Sequence, residues 1–215
     1  MPVIRSSNPL NAGIKIIVFD LGNVLLNIDP SLTGKAFRAL GITDESEFFS
    51  GKHTLALMLS LECGTISPDD FLQEVLKKLK PGVTAKQAEE AWNAMLLDFP
   101  EKRVRMLQGL RKYYRIGLLS NTNQVHYRDY TARFARDFGS PFGDLFDYRW
   151  LSHEIGIAKP EAGIFEYVLK KSGVQPAEML FIDDTRMHVE AAARLGINAV
   201  HLKAGMEVSE LLSVV

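Results

Sequence analysis

The sequence predicts an α/β protein whose parallel sheet is buried on both faces. Short apolar runs at residues 16–19, 116–119 and 179–182 are continuous rather than alternating, which is typical of strands covered by helices on both sides. Segments with helical spacing of apolar residues separate the runs, and this alternation favours parallel crossovers. A further apolar run at 199–202 follows a turn at Gly196 and extends the sheet.

The helices between these strands have recognisable ends. Pro160 precedes an apolar stripe that stops at Gly173, and helices commonly begin with proline and end with glycine. Asp184 or Thr185 can cap a second helix, which ends before Gly196. Both helices are therefore expected to pack on the sheet.

Residues 30–100 differ from the rest of the chain because they contain no strand-like run. Thr84 and Gln87 have the spacing of a capping box, which marks a helix start. We therefore predict an all-helical cap at 30–100, inserted into a core domain that comprises residues 1–29 and 101–215.

Composition excludes several classes of protein. The chain has 215 residues, 47% of them hydrophobic and 24% charged, as in ordinary globular domains. A formal net charge of -1 offers little attraction for nucleic acid. The single cysteine, Cys63, precludes an intrachain disulfide and a four-cysteine zinc site. With no apolar stretch of about 20 residues, a cytoplasmic protein without membrane contact is expected; its oligomeric state is not predicted.

Polar side chains follow the predicted strands at the points where the strands end. These are Asp20, Ser120 and the pair Asp183 and Asp184, and ligands bind beyond the carboxyl ends of parallel strands. Carboxylates about 4 Å apart repel by roughly 4 kcal/mol per pair at an effective dielectric of 20, so the cluster requires a cation. Oxygen ligands favour Mg²⁺, and Lys159 adds a second positive charge in an extended loop before a proline. The pattern predicts a phosphoryl-binding site.

Four motifs occur in order along the chain: FDLGNVL at 19–25, LLSNTN at 118–123, KP at 159–160 and FIDD at 181–184. From about Lys15 onward, they resemble the motifs of the haloacid dehalogenase-like hydrolase superfamily. The resemblance implies a Rossmann-like parallel sheet core with an inserted all-helical cap. Within the superfamily, these strings look most similar to bacterial alpha-glucose-1-phosphate phosphatases.

The resemblance also implies roles for individual residues. Asp20 would be a nucleophile that forms an aspartyl-phosphate, a known form of covalent catalysis. Ser120 and the Asn121 backbone would hold phosphate oxygens, and Lys159 would neutralise charge on the phosphate and on Asp20.

A magnesium site is implied by the same resemblance. Mg²⁺ would be held by Asp20, the carbonyl of Gly22 and Asp184, with Asp183 acting directly or through water. Phosphoryl transfer needs in-line positioning and charge stabilisation, which such a site supplies.

Gly22 departs from the superfamily pattern, because phosphatases normally carry a second aspartate there as general acid and base. General acid-base catalysis contributes about 10²- to 10⁴-fold, so its loss favours an easier leaving group such as a sugar 1-phosphate. His188 is a second departure, since similar sequences often carry asparagine at this place. It could replace the proton donor, but an ordinary helix-surface histidine is expected.

The sequence therefore predicts a Mg²⁺-dependent phosphatase whose partner is a small-molecule phosphate ester, with sugar phosphates favoured. A metal-independent haloacid dehalogenase remains open because it also uses an aspartate nucleophile without the second aspartate. A receiver-type signalling domain shares the residue types but lacks a long helical insertion. A catalytically weak phosphate- and metal-binding regulatory protein is the third alternative.

Overall fold

A computed structural model describes residues 10 and 13–212 of the chain. In this part of the chain, five parallel strands form one sheet in the order β3-β2-β1-β4-β5. The strands are β1 (Ile16–Phe19), β2 (Arg115–Ser120), β3 (Tyr148–Leu151), β4 (Met179–Asp183) and β5 (Asn198–His201). The predicted fold class is confirmed, with β5 beginning one residue earlier than the predicted run.

The central strand β1 explains why the sequence shows continuous apolar runs. Ile17 and Phe19 pack into the hydrophobic cluster on one face of the sheet, while Ile16 and Val18 pack into the cluster on the other face. All four side chains are fully buried. Each buried aliphatic or aromatic side chain contributes about 1.5–3 kcal/mol, so both faces select apolar residues.

Strand β3 was not predicted from the sequence. It lies at the edge of the sheet and pairs with β2. Tyr148 is half-buried and Arg149 is exposed, whereas Trp150 and Leu151 are buried. Because only Trp150 and Leu151 are buried, the sequence of β3 lacks the continuous apolar run that marks the other strands.

Within the described residues, six α-helices accompany the strands. They are α6 (Glu101–Leu110), α7 (Gln124–Phe138), α8 (Ser152–Ile155), α9 (Ala162–Ser172), α10 (Arg186–Arg194) and α11 (Val208–Leu211). Gly173 ends α9 with a φ of 67°, a left-handed conformation that glycine adopts without strain. Thr185 is the N-cap of α10, although its side chain makes no capping hydrogen bond.

Five helices lie between β1 and β2. They are α1 (Pro30–Ala39), α2 (Glu45–Ser50), α3 (Lys52–Glu62), α4 (Pro68–Leu76) and α5 (Ala85–Asn93). Thr84 and Gln87 form the reciprocal capping box at the start of α5. These helices enclose a separate hydrophobic cluster that includes Phe37, Phe71 and Trp92. The exact domain boundaries at 29/30 and 100/101 stay predictions.

Two linkers connect the helical cap to the core and are hydrogen-bonded to each other. The Asn27 N–H donates to the Asp98 carbonyl at 2.9 Å, and the Leu97 N–H donates to the Asn27 carbonyl at 3.0 Å. The Asp29 N–H donates to the Met95 carbonyl at 2.9 Å. The linkers thus leave the core as a paired ribbon beside the carboxyl end of β1. No helix in the described ranges is long and apolar enough to cross a membrane.

Candidate active site

The parallel sheet brings the predicted site residues to one edge. Asp20 follows β1, Ser120 ends β2 and Asp183 ends β4, and β1 lies between the other two strands. Asp20, Asp183 and Asp184 each offer a carboxylate oxygen, and these three oxygens lie within 4.8 Å of one another. The predicted convergence of the strand ends is therefore present, whereas the catalytic role of each residue stays a prediction.

Lys159 lies between two of these carboxylates. Its Nζ is 2.6 Å from Asp20 Oδ1 and 2.6 Å from Asp183 Oδ2, and it also donates to the Leu119 carbonyl at 3.0 Å. The lysine side chain is only 1% exposed. Burial disfavours the charged ammonium, but Asp20 and Asp183 together raise the pKa of Lys159 above its ordinary value. The ammonium is thus held charged beside the predicted nucleophile.

The side chain of Asn121 positions Lys159. Its Nδ2 donates to the Lys159 carbonyl at 2.8 Å, and its Oδ1 accepts from the Lys159 N–H at 2.8 Å. These two bonds join the loop after β2 to the loop before α9. Because the amide side chain is used in this way, the predicted phosphate contact falls to the Asn121 backbone.

Residues 120–123 form the candidate phosphate loop between β2 and α7. Ser120 is 2% exposed. Thr122 is fixed by Ser152, whose Oγ accepts from the Thr122 N–H and donates to the Thr122 carbonyl, both at 3.0 Å. Asn123 caps α7 by accepting from the His126 N–H at 2.9 Å. The loop is therefore held before any ligand binds, and it lies at a helix N-terminus, which favours anions.

The two buried aspartates next to Lys159 differ in acidity. Burial raises the pKa of Asp20 to about 6, although Lys159 opposes the shift. Burial also acts on Asp183, but there Lys159 and His188 outweigh it and lower the pKa. A further cation at the site would favour the ionised form of Asp20 that a nucleophile requires.

Asp183 already has its oxygens occupied by hydrogen bonds. Oδ1 accepts from the Thr185 N–H at 2.7 Å, Oδ2 accepts from Lys159, and His188 Nδ1 lies 3.1 Å from both oxygens. This arrangement favours an indirect role for Asp183 at a metal ion, through water. It also corrects the expectation for His188, which is half-buried against Asp183 rather than an ordinary surface histidine.

Asp184 is oriented by a residue that sequence reasoning missed. Asn23 Nδ2 donates to Asp184 Oδ2 at 3.1 Å, and Asn23 has a φ of 54°. Asparagine tolerates this left-handed conformation better than most residues, so the Gly22–Asn23 pair was a readable turn signal. His201 Nε2, 2.9 Å from the Asp184 carbonyl, fixes the backbone.

The donor set fits a hard divalent cation. Carboxylate oxygens of Asp20 and Asp184 converge, and Mg²⁺ is commonly bound by one or two carboxylates with water and phosphate completing the shell. Gly22 lies between β1 and Asn23, in the turn that contacts Asp184. Its predicted role as a carbonyl ligand stays a prediction.

Comparison with known proteins identifies the family. A family model for haloacid dehalogenase-like hydrolases matches residues 14–196. A D-ribitol-5-phosphate phosphatase from Bacteroides thetaiotaomicron is 31% identical, over 94% of this chain and 98% of the relative. A sesquiterpene phosphatase from Aspergillus oryzae is 26% identical, over 87% and 89% of the two chains.

Solved structures support the same family assignment. A family enzyme from Bacteroides thetaiotaomicron, crystallised with magnesium and inorganic phosphate, has a TM-score of 0.82 and 33% identity, over 94% of this chain and all of the other. An L-2-haloacid dehalogenase from Xanthobacter autotrophicus shares the fold at a TM-score of 0.59 and 20% identity, over 88% and 77%. A particular closeness to alpha-glucose-1-phosphate phosphatases is not among these findings. The chain belongs to the haloacid dehalogenase-like hydrolase family.

Proposed function

We propose that this hydrolase is a Mg²⁺-dependent phosphatase that cleaves phosphate monoesters of sugars or sugar alcohols through an aspartyl-phosphate on Asp20. The observation that carries the proposal is the buried ammonium of Lys159, 2.6 Å from both Asp20 and Asp183. Two of its relatives are named as phosphatases, a D-ribitol-5-phosphate phosphatase and a sesquiterpene phosphatase, which supports the proposal. Sugar phosphates remain the favoured class, as the sequence predicts.

The chain's own residues provide positioning and charge. Lys159 holds Asp20 Oδ1, so that a carboxylate oxygen of Asp20 attacks phosphorus while the ester oxygen leaves with a proton from solvent. Ser120 and the Asn121 backbone donate to the phosphoryl oxygens. Water then attacks phosphorus, which releases inorganic phosphate and restores the Asp20 carboxylate. Such positioning supplies most of the catalysis in phosphoryl transfer.

Mg²⁺, when bound, offsets the negative charge on the phosphoryl oxygens. Asp20, Asp184 and the Gly22 carbonyl would hold it, with Asp183 acting through water. Asn23 keeps the Asp184 carboxylate oriented by donating to Oδ2. Residues that orient metal ligands commonly affect metal affinity by about 10- to 100-fold.

Two observations bear on the leaving group. Gly22 leaves no acidic side chain at the usual general-acid position, which favours sugar 1-phosphates because their anomeric oxygen is a better leaving group than an ordinary alkoxide. The D-ribitol-5-phosphate phosphatase supports a sugar alcohol phosphate as the second candidate. In both cases, the helical cap provides the surface that contacts the leaving group, as lids commonly do.

A phosphate-release screen tests the proposal. The purified protein is assayed with Mg²⁺ on sugar 1-phosphates, sugar 5- and 6-phosphates, sugar alcohol phosphates and a sesquiterpenyl phosphate. Turnover on a sugar or sugar alcohol phosphate, lost in Asp20→Asn and in EDTA, is the expected result. Equal rates on matched sugar 1- and 6-phosphates would contradict the leaving-group argument. Dehalogenation of a 2-haloacid in EDTA would show instead that the protein is a metal-independent dehalogenase.

A further inference from the structure

The first turn of α7 connects the candidate phosphate loop to the helical cap. Val125 belongs to the helix that follows β2, yet it is 1% exposed and packs in the hydrophobic cluster of the cap. That cluster also contains Phe71 and Trp92. Burying a valine side chain contributes about 1.5 kcal/mol or more. The cap is thus packed directly onto the residues that follow the loop.

The next residue, His126, makes a directional contact with the end of α5. Its ring stacks on Trp92 with centroids 5.2 Å apart and planes 4° apart, and its Nδ1 lies 2.8 Å from Asn93 Oδ1. An amide oxygen can only accept, so Nδ1 carries the proton. Burial lowers the pKa of His126 to about 3, which keeps the ring neutral near neutral pH.

Both partners of His126 are fixed within the cap. Asn93 is 5% exposed and Trp92 is 7% exposed. Thr33 Oγ1 donates to the Trp92 carbonyl at 3.1 Å and accepts from the Met95 N–H at 3.2 Å. On the other side, the His126 N–H donates to the Asn123 side chain. One residue therefore bonds to the phosphate loop through its backbone and to the cap through its ring.

A second contact between cap and core lies beside the same loop. A Cβ at Gly64, between α3 and α4, would lie 2.1 Å from the His153 carbonyl oxygen, so the two backbones are in close contact. His153 Nε2 is 3.2 Å from Oε1 of Gln124, the first residue of α7. The cap thus touches the core at two places beside the loop: at His153, which itself contacts Gln124, and at His126.

We propose that His126 is a positioning residue whose bond to Asn93 sets the distance between the phosphate loop and the cap surface that contacts the leaving group. The inference rests on the proposed function, because it requires the loop to hold the phosphoryl group of an ester. A substrate that spans loop and cap depends on this distance. The binding of inorganic phosphate, which occupies the loop alone, does not depend on this distance.

The test compares His126→Phe with wild type on two ligands. Phenylalanine keeps a ring against Trp92 but removes the donor to Asn93. For the fastest large ester from the screen, whether sugar-based or not, kcat/KM is expected to fall about tenfold, the size of one hydrogen bond, while the inhibition constant of inorganic phosphate changes by less than about twofold. His53→Phe is the matched control, since His53 is an exposed histidine of the cap.

A double variant separates positioning from stability. His126→Phe leaves the buried Asn93 amide without its partner, whereas His126→Phe combined with Asn93→Leu removes both polar groups, a change that is often nearly neutral for stability. The thermal midpoint of the double variant is expected to return toward wild type, while kcat/KM for the large ester stays low. Recovery of kcat/KM together with the midpoint would overturn the proposal. So would a parallel loss of inorganic phosphate binding, or no change in His126→Phe. Failure of wild type to act on any sugar phosphate would instead overturn the substrate class.

Discussion

Replacing Lys159 by methionine removes the buried charge that separates two carboxylates. Methionine is unbranched and of similar length, so the substitution chiefly deletes the ammonium. Lys159 Nζ lies 2.6 Å from an oxygen of Asp20 and 2.6 Å from an oxygen of Asp183. Without it, two acidic groups remain buried beside each other and beside Asp184.

The geometry sets the size of the expected effect. The carboxylate oxygens lie within 4.8 Å of one another, and two charges at that distance repel by about 3.5 kcal/mol at an effective dielectric of 20. Breaking a buried ion pair typically costs about 3–5 kcal/mol of stability, which agrees with the size of this repulsion. Lys159→Met is therefore expected to lower the free energy of unfolding by about 3–5 kcal/mol in EDTA at pH 8.

The loss should shrink at lower pH. Asp20 already has its pKa raised to about 6, above its ordinary value of 3.8. An acid whose pKa is raised by folding costs stability as the pH rises from the unfolded to the folded pKa, and it costs nothing below both. Because Lys159→Met raises the Asp20 pKa further, Asp20 is protonated at little cost at pH 5, whereas at pH 8 either the repulsion or the larger cost of protonating Asp20 lowers stability.

Urea denaturation of the variant and wild type at pH 5 and pH 8 measures this difference. Lys15→Met is the control, because Lys15 makes an ion pair of the same 2.6 Å length with Glu178 but its side chain is 60% exposed. Exposed pairs contribute about 0–1 kcal/mol. A loss for Lys159→Met no larger than that of the control in EDTA at pH 8 would refute the reasoning.

Three further predictions concern the core, the cap and the metal site. Burial opposes ionisation of Glu207, but hydrogen bonds from Arg103 and Lys102 lower the pKa of Glu207 to about 2. Glu207→Gln should therefore lower the free energy of unfolding by about 2 kcal/mol at pH 7. This loss, measured by urea denaturation, should fade as the pH drops from about 4.5 toward 2. A pH-independent loss would contradict this account. Gly64→Ala places a Cβ 2.1 Å from a carbonyl oxygen of α8 and should lower the thermal midpoint more than Gly82→Ala, which has a similarly positive φ but no atom within 4 Å; equal shifts would argue against the close contact. Asp184→Asn should raise the Mg²⁺ concentration for half-maximal turnover by at least about tenfold, and an unchanged requirement in a Mg²⁺ titration would exclude Asp184 as a ligand.

Several features of the site could be predicted because they leave a local mark on the sequence. Inner strands are covered on both faces, so they appear as apolar runs, and the residue after each run marks the edge where parallel strands end. This placed Asp20, Ser120 and Asp183 together without any contact information. Lys159 can be assigned to the same site because it directly precedes a proline, which favours an extended loop.

The contacts of these residues were not predictable in the same way. Lys159 lies 139 positions from Asp20 in the chain, and no local pattern specifies a bond between residues so far apart. The hydrogen bond from Asn23 to Asp184 is a similar case, because the two residues are 161 positions apart in the chain. An ordinary helix-surface histidine is expected at His188, and its contact with Asp183 forms only when the helix packs beside the end of β4.

The sequence by itself therefore determined the fold class, the edge of the sheet that carries the site and the kind of ion that the site attracts, because burial and residue chemistry act at each position separately. The tertiary structure alone decided which groups contact each other. It placed β3 at the edge of the sheet beside β2, His188 against Asp183, and His126 between the phosphate loop and the cap. Hydrogen bonds and ring contacts depend on distances of a few ångströms between distant segments, and those distances exist only once the chain has packed.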